Sequence, residues 1–467
     1  MHRYQKKGLN FVLDVNSGAV HLLDDISYAV SGLLDENMGD TCPQSIIDAL
    51  PDYTADEIRE AYDELYELKK AGQLFAQDDY IDVSRYIPVN APVKALCLHV
   101  AHDCNLRCQY CFASTGDFGQ GRKIMPPEIA KKAIDFVIAR SGVRHNIEVD
   151  FFGGEPLMAW DTVTQTVDYA RSLEEKYNKK FRFTITTNGL LLDEDKRKYI
   201  NENMDNCVLS LDGRREVNDE FRKTVAGTGS YDTIVPKFKA LVDERDPNLD
   251  YYARGTFTSH NLDFAEDVLS IADAGFDRLS VEPVTADPGC GYDLTEDDLP
   301  KIEAEYDRLT DIMLERKKEG KPFTFFHFMV DLDQGPCVVK RLRGCGAGYE
   351  YVAVTPDGDI YPCHQFVGKD EFKQGSVLDQ SFNMDIAQKF AGMNIYSRPK
   401  CQKCWAKFYC SGGCSAANYN MNHDMNDSYD LGCEMERKRL ECSNLPKRQW
   451  DKNLCKSVEV MNCKKNP

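Results

Sequence analysis

The 467-residue sequence predicts an α/β fold built on a parallel β-sheet. Six short apolar segments between residues 93 and 284 alternate with stretches whose apolar residues recur at helical spacing. Such alternation indicates right-handed crossovers between parallel strands. Polar residues directly follow several of these segments, which is where parallel sheets carry their chemistry. The alternation alone is compatible with an open doubly wound sheet or with a partial barrel.

A small module is expected ahead of the sheet, over residues 1–88. Residues 11–15 and 19–23 predict two strands joined by a turn at Asn16-Ser17-Gly18. A capping-box pattern at residues 54–57 predicts the start of a helix that ends at Gly72. Residues 74–76 predict a short extended piece. Hairpin, helices and extended piece together predict a winged-helix-like module.

The sheet and its helices are expected over residues 89–320, and a cysteine-rich region with fewer helices over residues 321–467. One hairpin is predicted in the second region, with strands at 349–354 and 359–363 around the turn Thr355-Pro356-Asp357-Gly358. The predicted strands of the sheet are 93–100, 147–152, 181–187, 207–211, 251–258 and 278–284. The predicted helices lie near 127–140, 160–177, 193–203, 230–244 and 262–274.

Composition limits the classes of function. A formal net charge of -19 makes nucleic acid or an anionic membrane an unfavourable partner. We find no uncharged apolar run long enough to span a bilayer and no secretion signal, which predicts a cytoplasmic protein. In that reducing compartment, the 18 cysteines are expected to be metal ligands or free thiols rather than disulfides.

A run of three cysteines follows the first strand of the predicted sheet. Cys104, Cys108 and Cys111 have the spacing Cys-x3-Cys-x2-Cys. Three thiolates can hold three corners of a [4Fe-4S] cube and leave the fourth iron open to chelate a small molecule. A structural zinc site normally requires four ligands, and a disulfide framework an even number of cysteines. With Tyr110 before its last cysteine, the run resembles the motif of the radical S-adenosylmethionine (AdoMet) superfamily.

This resemblance implies an AdoMet site at the strand ends, to which Tyr110 would belong. The second strand ends in Gly153-Gly154-Glu155-Pro156. Glycines let the backbone approach a ligand closely, and Glu155 adds negative charge. In the superfamily the matching motif binds the AdoMet amino group.

Later strand ends would complete that site. The resemblance implies that Asn188 and Ser210 contact the ribose and that Arg222 contacts the carboxylate. Taken without the resemblance, the segments around Asn188 and Ser210 are also compatible with ordinary turns.

The cysteines of the C-terminal region resemble the pattern of the SPASM extension, which carries two auxiliary [4Fe-4S] clusters and would bring the total to three. One of the two cysteine sets that this pattern defines, the proximal set given below, has three cysteines and lacks a fourth ligand. Either Cys337 is that ligand, or one iron is open to a substrate thiolate. We favour the open iron. A pair of zinc sites is the alternative that a Cys-x2-Cys pair leaves open. The resemblance implies a distal set of Cys401, Cys404, Cys410 and Cys433, and a proximal set of Cys345, Cys363 and Cys414.

The runs 10–21, 111–119 and 344–348 are further similar to the SCIFF-peptide maturases, which are grouped with ranthipeptide synthases and act on cysteine-rich ribosomal precursor peptides. This similarity implies a partial (β/α)6 TIM-like barrel between a leader-peptide recognition element and a SPASM domain. The leader would add a strand to the N-terminal hairpin. An electron from a flavodoxin- or ferredoxin-type donor would reduce AdoMet to a 5′-deoxyadenosyl radical. A peptide carbon attacked by that radical would then join a peptide cysteine as a thioether.

Other functions stay open at this stage. The nearest is another SPASM enzyme acting on peptides, such as an anaerobic sulfatase-maturase-like oxidase or an α-carbon sactisynthase. The second is a zinc-stabilised regulator with a DNA-binding winged helix, which the negative net charge disfavours.

Overall fold

The six predicted strands form the centre of one large sheet in the structure, a computed structural model that describes residues 1–85, 91–330 and 338–450. These strands lie side by side in chain order, and each neighbouring pair is parallel. The strands of the structure are β1 His2–Lys6, β2 Leu9–Leu13, β3 Val20–Leu23, β4 Ala95–His102, β5 Lys123–Ile124, β6 Asn146–Gly153, β7 Lys180–Thr187, β8 Asn206–Ser210, β9 Asp250–Phe257, β10 Arg278–Pro283, β11 Thr324–Phe325, β12 Tyr351–Val354, β13 Asp359–Tyr361, β14 Gly375–Ser376 and β15 Ser381–Phe382.

Strand order distinguishes between the two kinds of sheet that the sequence left open. A doubly wound sheet reverses its strand order at a switch point. Here β4, β6, β7, β8, β9 and β10 follow one another without reversal, as in a barrel that is wound in one direction. Parallel pairing of β12 with β4 and of β11 with β10 extends the two edges. The partial barrel is therefore confirmed.

Helices cover the outer face of the barrel, where alternate strand residues such as Leu96, Leu98 and Val100 are fully buried. Five of these helices match the helices predicted near 127–140, 160–177, 193–203, 230–244 and 262–274. Two others, Arg215–Phe221 and Leu299–Lys318, were not predicted. The helices are α1 Asp25–Ser31, α2 Gln44–Ala49, α3 Ala55–Lys70, α4 Ile81–Arg85, α5 Pro127–Arg140, α6 Trp160–Tyr177, α7 Glu194–Asn203, α8 Arg215–Phe221, α9 Tyr231–Asp243, α10 Phe264–Asp273, α11 Leu299–Lys318, α12 Val338–Arg343, α13 Met384–Gly392, α14 Pro399–Gln402, α15 Lys407–Cys410, α16 Ser415–Asn422 and α17 Asp430–Trp450.

The N-terminal module has a three-stranded antiparallel sheet in the order β1-β2-β3, rather than the predicted hairpin alone. The sequence of β1, HRYQK, is mostly polar, so periodicity did not reveal it. Residues 74–76 form no strand: Leu74 is instead buried among the helices of the module. The capping box at Thr54 and Glu57 begins α3 as predicted. The winged-helix assignment stays a prediction.

A buried lysine joins the N-terminal sheet to helices α11 and α17. Lys6, on β1, is 8% exposed, and its ammonium group contacts Asp307 of α11 and Cys442 of α17. Lys438 of α17 also donates to Asp307, at 2.7 Å. The Asp307 carboxylate is therefore shared between a lysine of the sheet and a lysine of α17.

Replacing this lysine should loosen the junction. We expect Lys6→Met to lower the free energy of unfolding by about 1–3 kcal/mol, because the variant removes the hydrogen bonds that the buried ammonium group donates to Asp307 and Cys442. Lys7→Met is the matched control, since Lys7 is 46% exposed and paired with the exposed Asp311; its effect should stay within about 0.5 kcal/mol. Urea denaturation followed by circular dichroism measures both. Equal effects of the two substitutions would contradict the proposed junction.

The C-terminal region contains the predicted hairpin, formed by β12 and β13 with Gly358 at φ 86° in its turn. The expectation of few helices is wrong for its last part, because α17 runs from residue 430 to 450 and packs along α11. Cys337 lies outside the described residues. Among the residues that are described, no helix has the length and apolarity needed to cross a membrane.

Candidate active site

The three-cysteine loop lies where the sequence placed it, directly after β4 at the carboxyl end of the barrel strands. Cys104, Cys108 and Cys111 all line one cavity of about 250 Å³. The sulfur of Cys104 accepts hydrogen bonds from the Leu106 backbone N–H at 3.4 Å and from the Asn188 side chain at 3.6 Å. The structure thus brings the three predicted ligands together around a shared space.

A wall of glycine backbone faces the loop. The N–H of Gly154 donates to the carbonyl of Ala101 at 2.7 Å, and that of Glu155 to the carbonyl of Asp103 at 2.9 Å. A Cβ atom at Gly154 would lie 2.1 Å from the Asp103 oxygen, and one at Gly153, where φ is 131°, 2.2 Å from the Ala101 oxygen. Both positions require glycine because backbone passes against backbone here.

A methyl group in this wall should misplace the cysteine loop. We expect Gly154→Ala to slow AdoMet cleavage by roughly 100-fold, the effect of a displacement near 1 Å in an active site. Gly39→Ala is the control, because a Cβ atom there has no neighbour within 4 Å. Chromatographic measurement of released deoxyadenosine tests both variants. Unchanged release by Gly154→Ala would show that the close backbone approach is not needed.

Glu155 connects two strand ends. Its carboxylate accepts hydrogen bonds from the Thr187 hydroxyl at 2.7 Å, the Asn188 N–H at 2.8 Å and the Leu157 N–H at 3.1 Å. The residue is 1% exposed, and burial raises the pKa of its carboxyl group. Glu155 therefore fixes the position of Asn188 as well as bordering the cavity.

Asn188 and Ser210 both line the cavity as predicted. The amide of Asn188 donates to the Asn105 side chain at 2.8 Å, and its oxygen accepts from the Leu190 N–H at 3.1 Å. Asn188 thereby connects the end of β7 to the cysteine loop. The ribose contacts assigned to these two residues stay predictions.

Arg222 lies in the cavity wall, where it already has protein partners. Its guanidinium donates to the Tyr110 hydroxyl at 2.9 Å and lies 3.9 Å from the Asp212 carboxylate. Burial holds the pKa of Tyr110 well above its usual value, so this hydroxyl stays protonated and donates to Asp212 at 2.5 Å. The Nε of Arg222 has no partner. The contact of Arg222 with the AdoMet carboxylate stays a prediction.

Two charged residues of the cavity were missed by the sequence analysis. Arg254 of β9 and Glu282 of β10 form an ion pair that lines the same cavity. They alternate along their strands with the fully buried Ala253 and Val281. That alternation was the available signal, since inward-facing positions of a barrel strand lie between outward-facing ones.

The distal cysteine set surrounds a second cavity. Cys401, Cys404, Cys410 and Cys433 all line a space of about 320 Å³. A single zinc ion bound at about 2.3 Å would require sulfur atoms about 3.8 Å apart. Within the described part of the chain, no group of His, Cys, Asp or Glu residues has the geometry to hold one metal ion. A space of this size lined by four cysteines fits the larger [4Fe-4S] cube.

The proximal cysteines also lie near one another. Burial raises the pKa of the Cys363 thiol, and the nearby thiols of Cys414 and Cys345 raise it further. Cys363 is followed by His364, which lines the first cavity with Gln365. Cys363 of the proximal set is therefore one residue from the lining of the three-cysteine-loop cavity, whereas the distal cavity shares no lining residue with that cavity.

Burial raises the pKa of thiols in the three-cysteine loop and in the distal set. Burial raises the pKa of Cys104 to about 12 and that of Cys108 to about 11. In the distal set, burial raises the pKa of Cys410 to about 12 and that of Cys433 to about 11. Iron binds the thiolate form, so cluster assembly here must release protons. Groups of three or four thiols around cavities are a donor set suited to iron–sulfur clusters.

Comparisons with known proteins agree with this geometry. Residues 98–250 match the model of the radical SAM superfamily, and residues 345–405 match SPASM, an iron-sulfur cluster-binding domain. A cysteine-type anaerobic sulfatase-maturating enzyme of Clostridium novyi (strain NT) is 25% identical over 354 residues, which cover 71% of this chain and 90% of that enzyme.

Two solved structures share the fold. The structure of anSMEcpe with bound AdoMet and the Kp18Cys peptide aligns with a TM-score of 0.61 at 20% identity, covering 76% of this chain and 98% of that one. Streptococcus suis SuiB bound to the precursor peptide SuiA aligns with a TM-score of 0.52 at 16% identity, covering 92% and 100%. The chain thus has a radical SAM fold followed by a SPASM domain, and these domain types imply [4Fe-4S] clusters and AdoMet as cofactors.

Proposed function

We propose that this radical SAM and SPASM chain is a peptide maturase that forms thioether crosslinks from cysteines of a SCIFF-type ribosomal precursor peptide. The observation that carries the proposal is the grouping of Cys345, Cys363 and Cys414, in which Cys363 is one residue from the lining of the reaction cavity. Three protein thiolates on a [4Fe-4S] cluster leave one iron available, and a thiolate from a peptide cysteine is the soft ligand that it prefers.

Residues of the chain would hold the cofactors in position. Cys104, Cys108 and Cys111 would hold the first cluster, while Gly153, Gly154 and the strand ends around them would orient AdoMet. When bound, these cofactors supply a 5′-deoxyadenosyl radical, a thiolate-binding iron and an acceptor for the surplus electron.

A groove of about 470 Å³ opens from the first cavity toward the surface, and the two share Phe112, Thr285, His364 and other lining residues. One side of this groove is formed by α16 residues such as Tyr419. The groove could hold an extended segment of the core peptide between the barrel and the SPASM domain. SuiB, which shares the fold, has been solved with its precursor peptide.

The N-terminal sheet is the proposed site for the leader peptide. Its strand β2 is paired on both sides, and β1 contacts α11 and α17 through Lys6. In the described part of the chain, strand β3 lies at the edge of this sheet and its strand partner is β2. A leader strand added to β3 would be held by strand-to-strand backbone hydrogen bonds. A flavodoxin- or ferredoxin-type protein is the proposed electron donor.

The direct test is to incubate the anaerobically reconstituted protein with reductant, AdoMet and the cysteine-rich peptide encoded nearest its gene. Thioether formation predicts a loss of about two hydrogen masses per crosslink, release of deoxyadenosine and one fewer alkylatable thiol. A peptide that keeps all its thiols and its mass would refute the proposal.

The second candidate is oxidation of a cysteine to formylglycine, which the similarity to a cysteine-type sulfatase-maturating enzyme favours. That reaction removes sulfur from the peptide, whereas a thioether keeps it. Elemental composition from high-resolution mass spectrometry therefore separates the two candidates. Fragmentation or NMR then distinguishes an α-carbon thioether from one at another carbon.

A further inference from the structure

A buried arginine lies between the two auxiliary cysteine sets. Arg398 precedes α14, and its carbonyl accepts a hydrogen bond from the N–H of Cys401, in the distal set, at 3.0 Å. Its guanidinium donates to the Gly412 carbonyl at 2.6 Å and to the Ser415 hydroxyl at 3.0 Å. Gly412 lies midway between Cys410 of the distal set and Cys414 of the proximal set. One side chain thus contacts the turn that joins the two sets.

The charge of this arginine has no carboxylate to balance it in its hydrogen bonds. Arg398 is 3% exposed, both of its acceptors are neutral, and its Nε has no partner. Burial lowers the pKa of the guanidinium, and the groups that oppose this shift are the thiols of the two sets, first Cys401 and Cys410. A buried cation is costly unless an anion accompanies it.

Another buried arginine shows what a purely structural role looks like. Arg245 is 7% exposed and also lacks a carboxylate in its hydrogen bonds. Its Nε and both terminal nitrogens are satisfied, by the carbonyls of Asp250 and Met204 and by the side chain of Asn201. Arg398 differs from it in its unsatisfied Nε and in the cysteines on both sides.

We propose that Arg398 is a positioning residue whose guanidinium serves as a shared countercharge for the two auxiliary clusters. Clusters with thiolate ligands are anionic, and each gains a further negative charge on reduction. A fixed cation beside both clusters stabilises their reduced forms and raises both reduction potentials. This inference rests on the cofactor assignment and is independent of which peptide bond the protein forms.

The position of Gly412 supports this placement. A Cβ atom there would lie 2.1 Å from the Nη1 of Arg398. Glycine thus leaves the space through which the guanidinium reaches the turn between the two sets. Gly412→Ala should therefore displace the cation and shift the potentials in the same direction as its removal.

The test uses the full chain in a Cys104→Ala, Cys108→Ala, Cys111→Ala background, so that the remaining EPR signals come from the auxiliary clusters alone. Midpoint potentials are measured by EPR-monitored redox titration, together with iron and sulfide content. We expect Arg398→Gln to make both midpoint potentials more negative and Arg398→Lys to restore part of the shift, because lysine keeps the charge. Arg245→Gln should leave both potentials unchanged.

Loss of iron in Arg398→Gln but not in Arg398→Lys or Arg245→Gln would also support the countercharge role. Equal iron loss in the two Arg398 variants would show a structural anchor that needs both hydrogen bonds, and would overturn the proposal. Iron loss in Arg245→Gln to the same extent would overturn it as well. So would unchanged potentials in a fully loaded Arg398→Gln protein, or a shift in only one cluster.

Discussion

Replacing any one of Cys104, Cys108 and Cys111 with alanine is expected to abolish AdoMet cleavage. All three line one cavity, and a cube that loses one of three protein ligands has no replacement in the loop. Loss of a residue that only hydrogen-bonds to a metal ligand typically lowers activity by roughly 10- to 100-fold. Loss of a ligand itself should lower the rate of deoxyadenosine release by more than that. Anaerobic assays with dithionite measure the rate.

Cys290→Ala is the matched control, because Cys290 is an exposed cysteine outside the three sets. It should keep the iron content and the cleavage rate of the unsubstituted protein. Iron content should fall in each variant of the three-cysteine loop, while the auxiliary clusters remain. Cleavage at the normal rate in any of these variants would remove the loop from the mechanism.

Cys345→Ala should separate AdoMet cleavage from crosslinking. The proximal set lies beside the reaction cavity but supplies no residue of the three-cysteine loop. We therefore expect deoxyadenosine release to persist, whereas thioether formation falls by at least about 100-fold because the peptide thiol is no longer positioned. Deoxyadenosine and crosslinked peptide are quantified in the same reaction.

Cys42→Ala controls for general effects of removing a thiol, since Cys42 lies in the N-terminal module. It should change neither yield. If Cys345→Ala reduced crosslinking no more than it reduced AdoMet cleavage, the proposed role of the proximal set in holding a thiolate would be wrong.

The barrel was predictable because its strands are buried on the outer face and repeat in a regular order. Apolar segments located all six strands to within about three residues. Strand β1 escaped notice because pairing with β2 and the contacts of Lys6 hold a mostly polar segment in place. Helix α17 was missed because its packing against α11 is a tertiary effect that the polar sequence does not show.

In the candidate active site, sequence motifs identified residues that have a fixed spacing along the chain. The structure brings these residues together. Arg254 and Glu282 belong to no motif, and they meet only because neighbouring strands turn them inward. The resemblance gave Arg222 the AdoMet carboxylate as its partner, and the structure shows that it also contacts Tyr110 and Asp212. Such partners are distant in the sequence and belong to no motif.

The central claim is that the protein uses AdoMet to remove hydrogen from a carbon of a peptide. Deuterium transfer tests this claim most directly. The precursor peptide is prepared with deuterium at all carbon positions and returned to ordinary water before the reaction. We predict that the released deoxyadenosine contains one deuterium and that its amount matches the crosslinks formed. Deoxyadenosine without deuterium, alongside a crosslinked peptide, would contradict the account.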